Sequence, residues 1–162
     1  MKTLSIFILA LLILIGCDHG LGPAEPKDKI TGISGTVYFQ NWPSVDSLKH
    51  LRIVAFINFP PQDIFTELIS GTAFAYPAIS DTGNLPYYVD SVYYQFELAA
   101  GEYQYVAVAQ HYETPLFIGW RAVGQYDTDA TPEPTAVTVF EDSLLENVDI
   151  NVDFKNLPVQ PF

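Results

Sequence analysis

The sequence has 162 residues, with seven Lys and Arg against 19 Asp and Glu, and therefore a formal net charge of −12. This acidity excludes nucleic acid as an expected partner, because nucleic-acid binding needs a cationic surface. The single Cys excludes an intramolecular disulfide framework, and the 49% apolar and 14% aromatic content argues against a disordered chain.

The first element is the apolar segment Leu4–Ile15, which follows the positive charge of Lys2. This order is typical of an export signal. A helix of about twelve residues is roughly 18 Å long, too short to cross a hydrocarbon core of about 30 Å. Residues 1–16 are therefore predicted to be a signal peptide.

The apolar segment ends in Leu14-Ile15-Gly16-Cys17, which resembles the lipobox of bacterial lipoproteins. The resemblance implies cleavage before Cys17, a diacylglyceryl group on its thiol and usually an acyl chain on the new amino terminus. Two or more acyl chains anchor a protein stably to a membrane. The implied location is the bacterial cell envelope, with the domain in the periplasm or on the cell surface.

Residues 17–30 combine the lipidated Cys with a segment rich in Gly, Pro and mixed charges, which predicts a flexible tether. From residue 31 the pattern changes to alternating or uninterrupted apolar segments, each the length of a strand. These segments are 33–40, 51–58, 72–76, 88–98, 103–110, 117–126, 136–141 and 147–154. One short helix is expected near 62–69, where Pro61 precedes an acidic first turn and Gly71 follows the last turn.

Seven to eight strands with one short helix predict an all-β domain over residues 31–155, an antiparallel Ig-like or prealbumin-like β-sandwich. Residues 156–162 are expected to form a C-terminal tail. The domain loosely resembles the carboxypeptidase-regulatory-like and transthyretin-like sandwiches in the segments 33–37, 101–109, 123–126, 137–139 and 148–152. That resemblance implies a non-catalytic accessory module.

Two groups of residues are candidate sites. Asp127, Asp129 and Glu133 lie in one acidic loop, and carboxylate oxygens at such spacing are possible Ca²⁺ ligands, although the loop lacks the EF-hand order. Trp42, Tyr87 and Tyr88 flank turn residues, and exposed aromatic rings of this kind stack on sugars or anchor protein interfaces. The alternative for the aromatic residues is packing in the core.

No G-x-S-x-G nucleophile motif and no phosphate-binding Gly loop occur in the sequence, so no enzymatic activity is expected. The sequence therefore predicts a lipid-anchored, non-enzymatic envelope protein that serves as an accessory or interaction module and needs no cofactor. Its partners would be the membrane, through Cys17, and an envelope protein or glycan that the sequence does not identify. The alternatives are a carbohydrate-binding module, a calcium-stabilised adhesion module and a small enzyme.

Overall fold

The computed structural model describes residues 29–112, 119–129 and 131–161, so the predicted signal peptide and Cys17 lie outside the described residues, as does all but the end of the predicted tether. The described ranges contain ten β-strands, one α-helix and one 3-10 turn. The strands are β1 (Gly32–Gln40), β2 (His50–Phe56), β3 (Ala73–Tyr76), β4 (Ser91–Glu97), β5 (Gly101–Tyr103), β6 (Tyr105–His111), β7 (Trp120–Gln125), β8 (Val137–Val139), β9 (Leu144–Leu145) and β10 (Ile150–Asp153). The helix is α1 (Ile64–Ser70), and the 3-10 turn is Val45–Ser47.

The strands form a main sheet in the order β3-β2-β6-β7-β10-β1-β4, with β9 paired to β1, and a small sheet of β5 and β8. The prediction of a mostly β domain with one short helix is confirmed. The prediction that all strand pairs are antiparallel is wrong, because β1 pairs in parallel with both β9 and β10. Side-chain alternation shows which face of a strand is buried, but it carries no information on strand direction.

β9 and β10 form one interrupted strand path that pairs in parallel with β1. Gly32 pairs with Leu144 in β9, and Val37 pairs with Ile150 in β10, so the register changes by one residue between them. At the interruption the Asp149 carboxylate accepts a hydrogen bond from the Thr36 main-chain N–H at 2.7 Å. The side chain thus bonds the main chain of β1 where the regular strand pairing is broken.

The main sheet curls until its two edge strands, β3 and β4, face each other. Tyr76 of β3 lies against Phe96 and Tyr94 of β4, with ring centroids 5.7 Å and 6.5 Å apart. The core lies inside this curl, and the small sheet covers it with Tyr103, Val137 and Val139. The edges of the main sheet therefore meet through side chains instead of main-chain hydrogen bonds.

A second apolar cluster lies on the opposite, outer face of the main sheet, under α1. It contains Val54, Phe56, Ile64, Ala73, Tyr105, Ala107, Ala109 and Ala122. Because both faces of β2 and β6 are covered, β6 is buried along its whole length. The small alanine side chains leave room for the helix to lie close to the sheet.

Helix α1 covers Ile64–Ser70, within two residues of the expected 62–69 at each end. The Asp63 side chain accepts a hydrogen bond from the main-chain N–H of Thr66 at 2.8 Å, which satisfies one free donor of the first turn. Gly71 adopts a left-handed conformation, with φ of 75°, at the other end. These two residues place α1 across the outer faces of β2 and β3.

Candidate functional site

A cavity of about 220 Å³ lies between α1, the outer face of the sheet and the segment 79–82. We call it the helix-side cavity. Its apolar lining consists of Ile64, Phe65, Leu68, Ile79 and Trp120, and its polar lining consists of His50, Arg52, Ser80, Asp81 and Thr82. A mostly apolar cavity with a few polar groups is typical of small-molecule sites.

Arg52 is the buried charged residue in the lining of the helix-side cavity, and only 4% of it is exposed. Its guanidinium donates hydrogen bonds to the main-chain carbonyl oxygens of Pro77, Ala78 and Asp81, at 2.6 Å and 2.9 Å for the last two. Burial lowers the pKa of Arg52, and the nearby charge of Asp81 partly opposes this effect. Arginine nevertheless stays protonated in proteins, so the cavity contains a full positive charge.

No carboxylate neutralises this guanidinium directly. Within the described ranges the one ion pair joins Lys29 and Asp142, at 3.4 Å. Arg52 is held by the dipoles of carbonyl groups, which carry no net charge. A buried cation with no carboxylate in direct contact is costly to maintain, which makes its position beside a cavity functionally informative.

The rings of His50 and Trp120 form one wall of the helix-side cavity, and the His111 ring packs against both. The centroids of His50 and His111 are 5.5 Å apart, and Trp120 lies 5.0 Å from His111 and 6.3 Å from His50. Burial lowers the pKa of His50, while its hydrogen bond with the Asn84 side chain partly opposes the shift. His50 is therefore neutral at neutral pH, and the ring wall adds no second positive charge through this residue.

The three predicted aromatic site residues lie at one end of the domain but differ in exposure. Trp42 is half-buried against Phe39 and Phe154, with ring centroids 4.7 Å and 4.8 Å away, so much of its surface belongs to the core. Tyr87 also packs against the core. Tyr88 is 51% exposed, and its ring centroid lies 5.3 Å from that of Trp42.

The predicted calcium loop is held by its own hydrogen bonds. Asp127 accepts a bond from the Asp129 main-chain N–H at 3.0 Å, and Asp129 accepts two bonds from Thr131, both at 2.7 Å. Across the described parts of the chain, no three His, Cys, Asp or Glu side chains lie close enough together to hold one metal ion. The structure thus does not assemble Asp127, Asp129 and Glu133 into a metal site.

A polar groove of about 270 Å³ lies on the outer face of the sheet where β1 meets β4, and we call it the tyrosine groove. Tyr38 and Tyr93 line it, with 43% and 64% of their surfaces exposed. Glu146, Asn147 and Asp149 provide polar groups beside the two rings. Flat rings next to carboxylate and amide groups provide both stacking surfaces and hydrogen-bonding groups.

Arg52 and His50 are not among the site residues predicted from the sequence, although the sequence contains a signal for both. Arg52 is the charged residue in the apolar segment 51–58, and residues at even spacing along a strand share one face. Extending that spacing from Phe56 back to His50 places both basic side chains on the face opposite Leu51 and Ile53. The cavity beside them depends on α1 and on segment 79–82, which strand periodicity does not position.

Within the described ranges, no helix has the length and apolar character needed to span a bilayer. Comparisons with protein families, with curated proteins and with solved structures found no match to this chain.

Proposed function

We propose that this chain is a lipid-anchored, non-enzymatic protein of the bacterial cell envelope whose β domain is an accessory or interaction module. The lipobox ending at Cys17 and the Gly- and Pro-containing segment after it support the anchor. The helix-side cavity supports the interaction role, and it is the observation on which the proposal depends. The domain lies in the periplasm or on the cell surface, held near the membrane by Cys17.

The size and lining of the helix-side cavity favour a small ligand with a largely apolar surface. An engineered cavity of about 150 Å³ in another protein holds benzene. The helix-side cavity, at about 220 Å³, has room for a ring or a branched chain together with a small polar group. Leu68 and Trp120 would contact the apolar part of such a ligand, and Arg52 the polar part.

The fold also supports the comparison with Ig-like and prealbumin-like sandwich modules. The main sheet and the small β5–β8 sheet pack around one core, as the two layers of a sandwich do. In this interpretation one layer has curled and the other is reduced to two short strands. An experimentally solved relative with two layers of comparable size and the same strand order would support this relationship, and one with a closed single sheet would contradict it.

Lipid anchoring is tested by replacing Cys17 with Ala and separating membranes from soluble proteins. We expect the Cys17→Ala protein to leave the membrane fraction, because no other residue of the lipobox offers a thiol for acylation. A His19→Ala variant keeps the lipobox and should stay with the membranes. Membrane association that is unchanged in Cys17→Ala would contradict the anchor.

Ligand binding is tested by a ligand-observed NMR screen of small apolar molecules against the full chain. Leu68→Trp fills the cavity and should abolish the binding of every true ligand. Ile69→Trp is the matched control, because Ile69 lies on the same helix, is 72% exposed and does not line the cavity. Ligands that bind all three proteins equally would contradict a role for the cavity.

A second candidate function is carbohydrate binding, which the tyrosine groove favours. Its exposed rings are better placed for sugar stacking than the half-buried Trp42. Binding to a glycan panel that is lost in Tyr93→Ala would support this function at the tyrosine groove. Loss in Tyr88→Ala instead would support the site expected from the sequence, and absence of binding to every glycan would remove this candidate.

A further inference from the structure

We infer that the helix-side cavity binds a free α-amino acid with an apolar side chain, its carboxylate at Arg52 and its ammonium group at Asp81. This inference rests on the proposed binding role of the cavity and assigns the chemical class of its ligand. Three observations support it: the unused donors of Arg52, the unpaired carboxylate of Asp81 beside it, and the volume of the apolar lining.

Arg52 retains hydrogen-bonding capacity for an anion. A guanidinium has five N–H donors, and Arg52 uses one for each of the carbonyl oxygens of Pro77, Ala78 and Asp81. Within the described residues, the Nε–H and one Nη2–H are left over. A carboxylate accepts two parallel N–H bonds from a guanidinium, so the remaining donors match one carboxylate group.

Asp81 provides the opposite charge at the same cavity. Its main-chain carbonyl accepts from Arg52 at 2.9 Å, which holds the residue next to the guanidinium. Asp81 is an exposed residue that lines the cavity, and within the described ranges its carboxylate forms neither an ion pair nor a hydrogen bond. A ligand with only a carboxylate would meet the repulsion of Asp81, whereas a zwitterion complements both charges.

The rest of the cavity selects the side chain of the amino acid. Ile64 and Leu68 line the cavity from α1, and Trp120 lines it from β7. A polar side chain would lose its hydration here without gaining partners, which disfavours it. The volume of about 220 Å³ suits a side chain the size of leucine or phenylalanine together with the small zwitterionic group.

The test is a calorimetric titration of the full chain, in mild detergent, with four probes of one shape. L-phenylalanine carries both charges, 3-phenylpropionate only the carboxylate, phenethylamine only the ammonium group, and 2-phenylethanol neither. We expect L-phenylalanine to bind at least about tenfold more tightly than each of the other three, since each lacks one or both charges that the cavity complements.

Two variants locate the binding. In Asp81→Asn, which leaves the main-chain bond to Arg52 in place, the affinity for L-phenylalanine should fall about tenfold while that for 3-phenylpropionate does not fall. Leu68→Trp should abolish the binding of all four probes, and Ile69→Trp should bind them as the unmodified protein does. These variants avoid substituting Arg52, whose bonds to segment 77–81 contribute to folding.

The outcomes separate this inference from the proposed function. Equal affinity for all four probes, sensitive to Leu68→Trp, would overturn the amino acid ligand and keep the cavity as a binding site. Binding of L-phenylalanine that is unchanged in Asp81→Asn would also overturn the inference. If no probe binds, both the amino acid ligand and the binding role of the cavity are overturned.

Discussion

His50 and Arg52 lie two residues apart on β2, and both face the helix-side cavity. Burial affects the charge of the two side chains differently. Burial favours the neutral form of His50, whereas Arg52 keeps its charge and is held by carbonyl groups. One strand face therefore supplies a neutral ring wall and a positive charge to the same site.

The lowered pKa of His50 predicts how stability depends on pH. In the unfolded chain His50 binds a proton near its ordinary pKa of 6.5, whereas the folded chain binds it only at lower pH. The unfolded state therefore binds more protons below this value, and the free energy of unfolding should fall as the pH decreases from about 7.5 to about 5.5. Urea denaturation at both pH values measures this change, and the decrease should be smaller in His50→Asn. An equal decrease in both proteins would contradict the prediction.

Gly35 marks a close approach between β1 and the strand path beside it. A Cβ atom at this position would lie 2.2 Å from the carbonyl oxygen of Val148, a main-chain atom that has little freedom to move. We expect Gly35→Ala to lower the free energy of unfolding by about 3 kcal/mol, at the upper end of the usual cost of overpacking.

Gly83→Ala is the control for this substitution, because its new Cβ would meet only the Pro77 ring, at 3.9 Å. Its free energy of unfolding should stay within about 0.5 kcal/mol of the unmodified protein. Denaturant titration of both variants makes the comparison. Equal stability of Gly35→Ala and Gly83→Ala would show that the two strand paths separate easily.

At the scale of single residues, the side chains that pack in the core were easier to identify from the sequence than the side chains of the candidate site. Trp42 was predicted to be a site residue because it is an aromatic residue in a turn. In the structure its Nε1–H donates a hydrogen bond to the Val89 carbonyl, and its ring covers the edge of the core. Arg52 lies in a segment that looks like an ordinary buried strand. Its role depends on carbonyl groups 25 or more residues away, which no local pattern contains.

At the scale of elements, α1 is the most strongly specified by local sequence. Asp63 caps its first turn, Gly71 ends it, and Ile64 and Leu68 share the face that packs on the sheet. Each of these signals acts within a few residues, so the helix could be predicted from sequence. The parallel pairing of β1 with β10 could not be predicted. It joins residues 113 positions apart, and the alternation of apolar and polar residues is the same in parallel and antiparallel strands.

Removing the cap of α1 should weaken the element that closes the cavity. Asp63→Ala leaves the Thr66 N–H without its partner and should lower the free energy of unfolding by about 1 kcal/mol. Asp63→Asn keeps an acceptor oxygen and should retain most of the stability. Thermal denaturation compares the three proteins, and a stable Asp63→Ala protein would show that packing alone fixes the helix.

At the scale of the whole molecule, the main sheet is held in its curl by side chains at its edges. Tyr76 connects β3 to Phe96 and Tyr94 of β4 and also joins the central core. The mostly β character followed from strand periodicity, since seven to eight alternating segments indicate a β domain. The curl of the sheet could not be predicted from periodicity, because it depends on which edge strands meet after all strands have paired.

Shortening Tyr76 should therefore loosen both edges of the main sheet. We expect Tyr76→Ala to lower the free energy of unfolding by about 2 kcal/mol, below the usual cost for a fully buried ring because Tyr76 is half-buried. Hydrogen exchange should accelerate in β3 and β4 before other strands. Tyr93→Ala is the control, because Tyr93 is 64% exposed and should tolerate the change. Uniform acceleration over the whole sheet would contradict a role confined to its edges.

The pairing of β1 with β10 has a consequence for the order in which the chain folds during synthesis. Val37 and Ile150 are 113 residues apart, and closing a loop of that length costs roughly 4 kcal/mol in chain entropy before the contact forms. β1 is made first among the described strands, yet its edge beside β10 has no partner until Ile150 has left the ribosome. Such a domain acquires its final structure late and slowly. Incomplete pairing of β1 during synthesis would suit the export through a membrane that we propose for this chain.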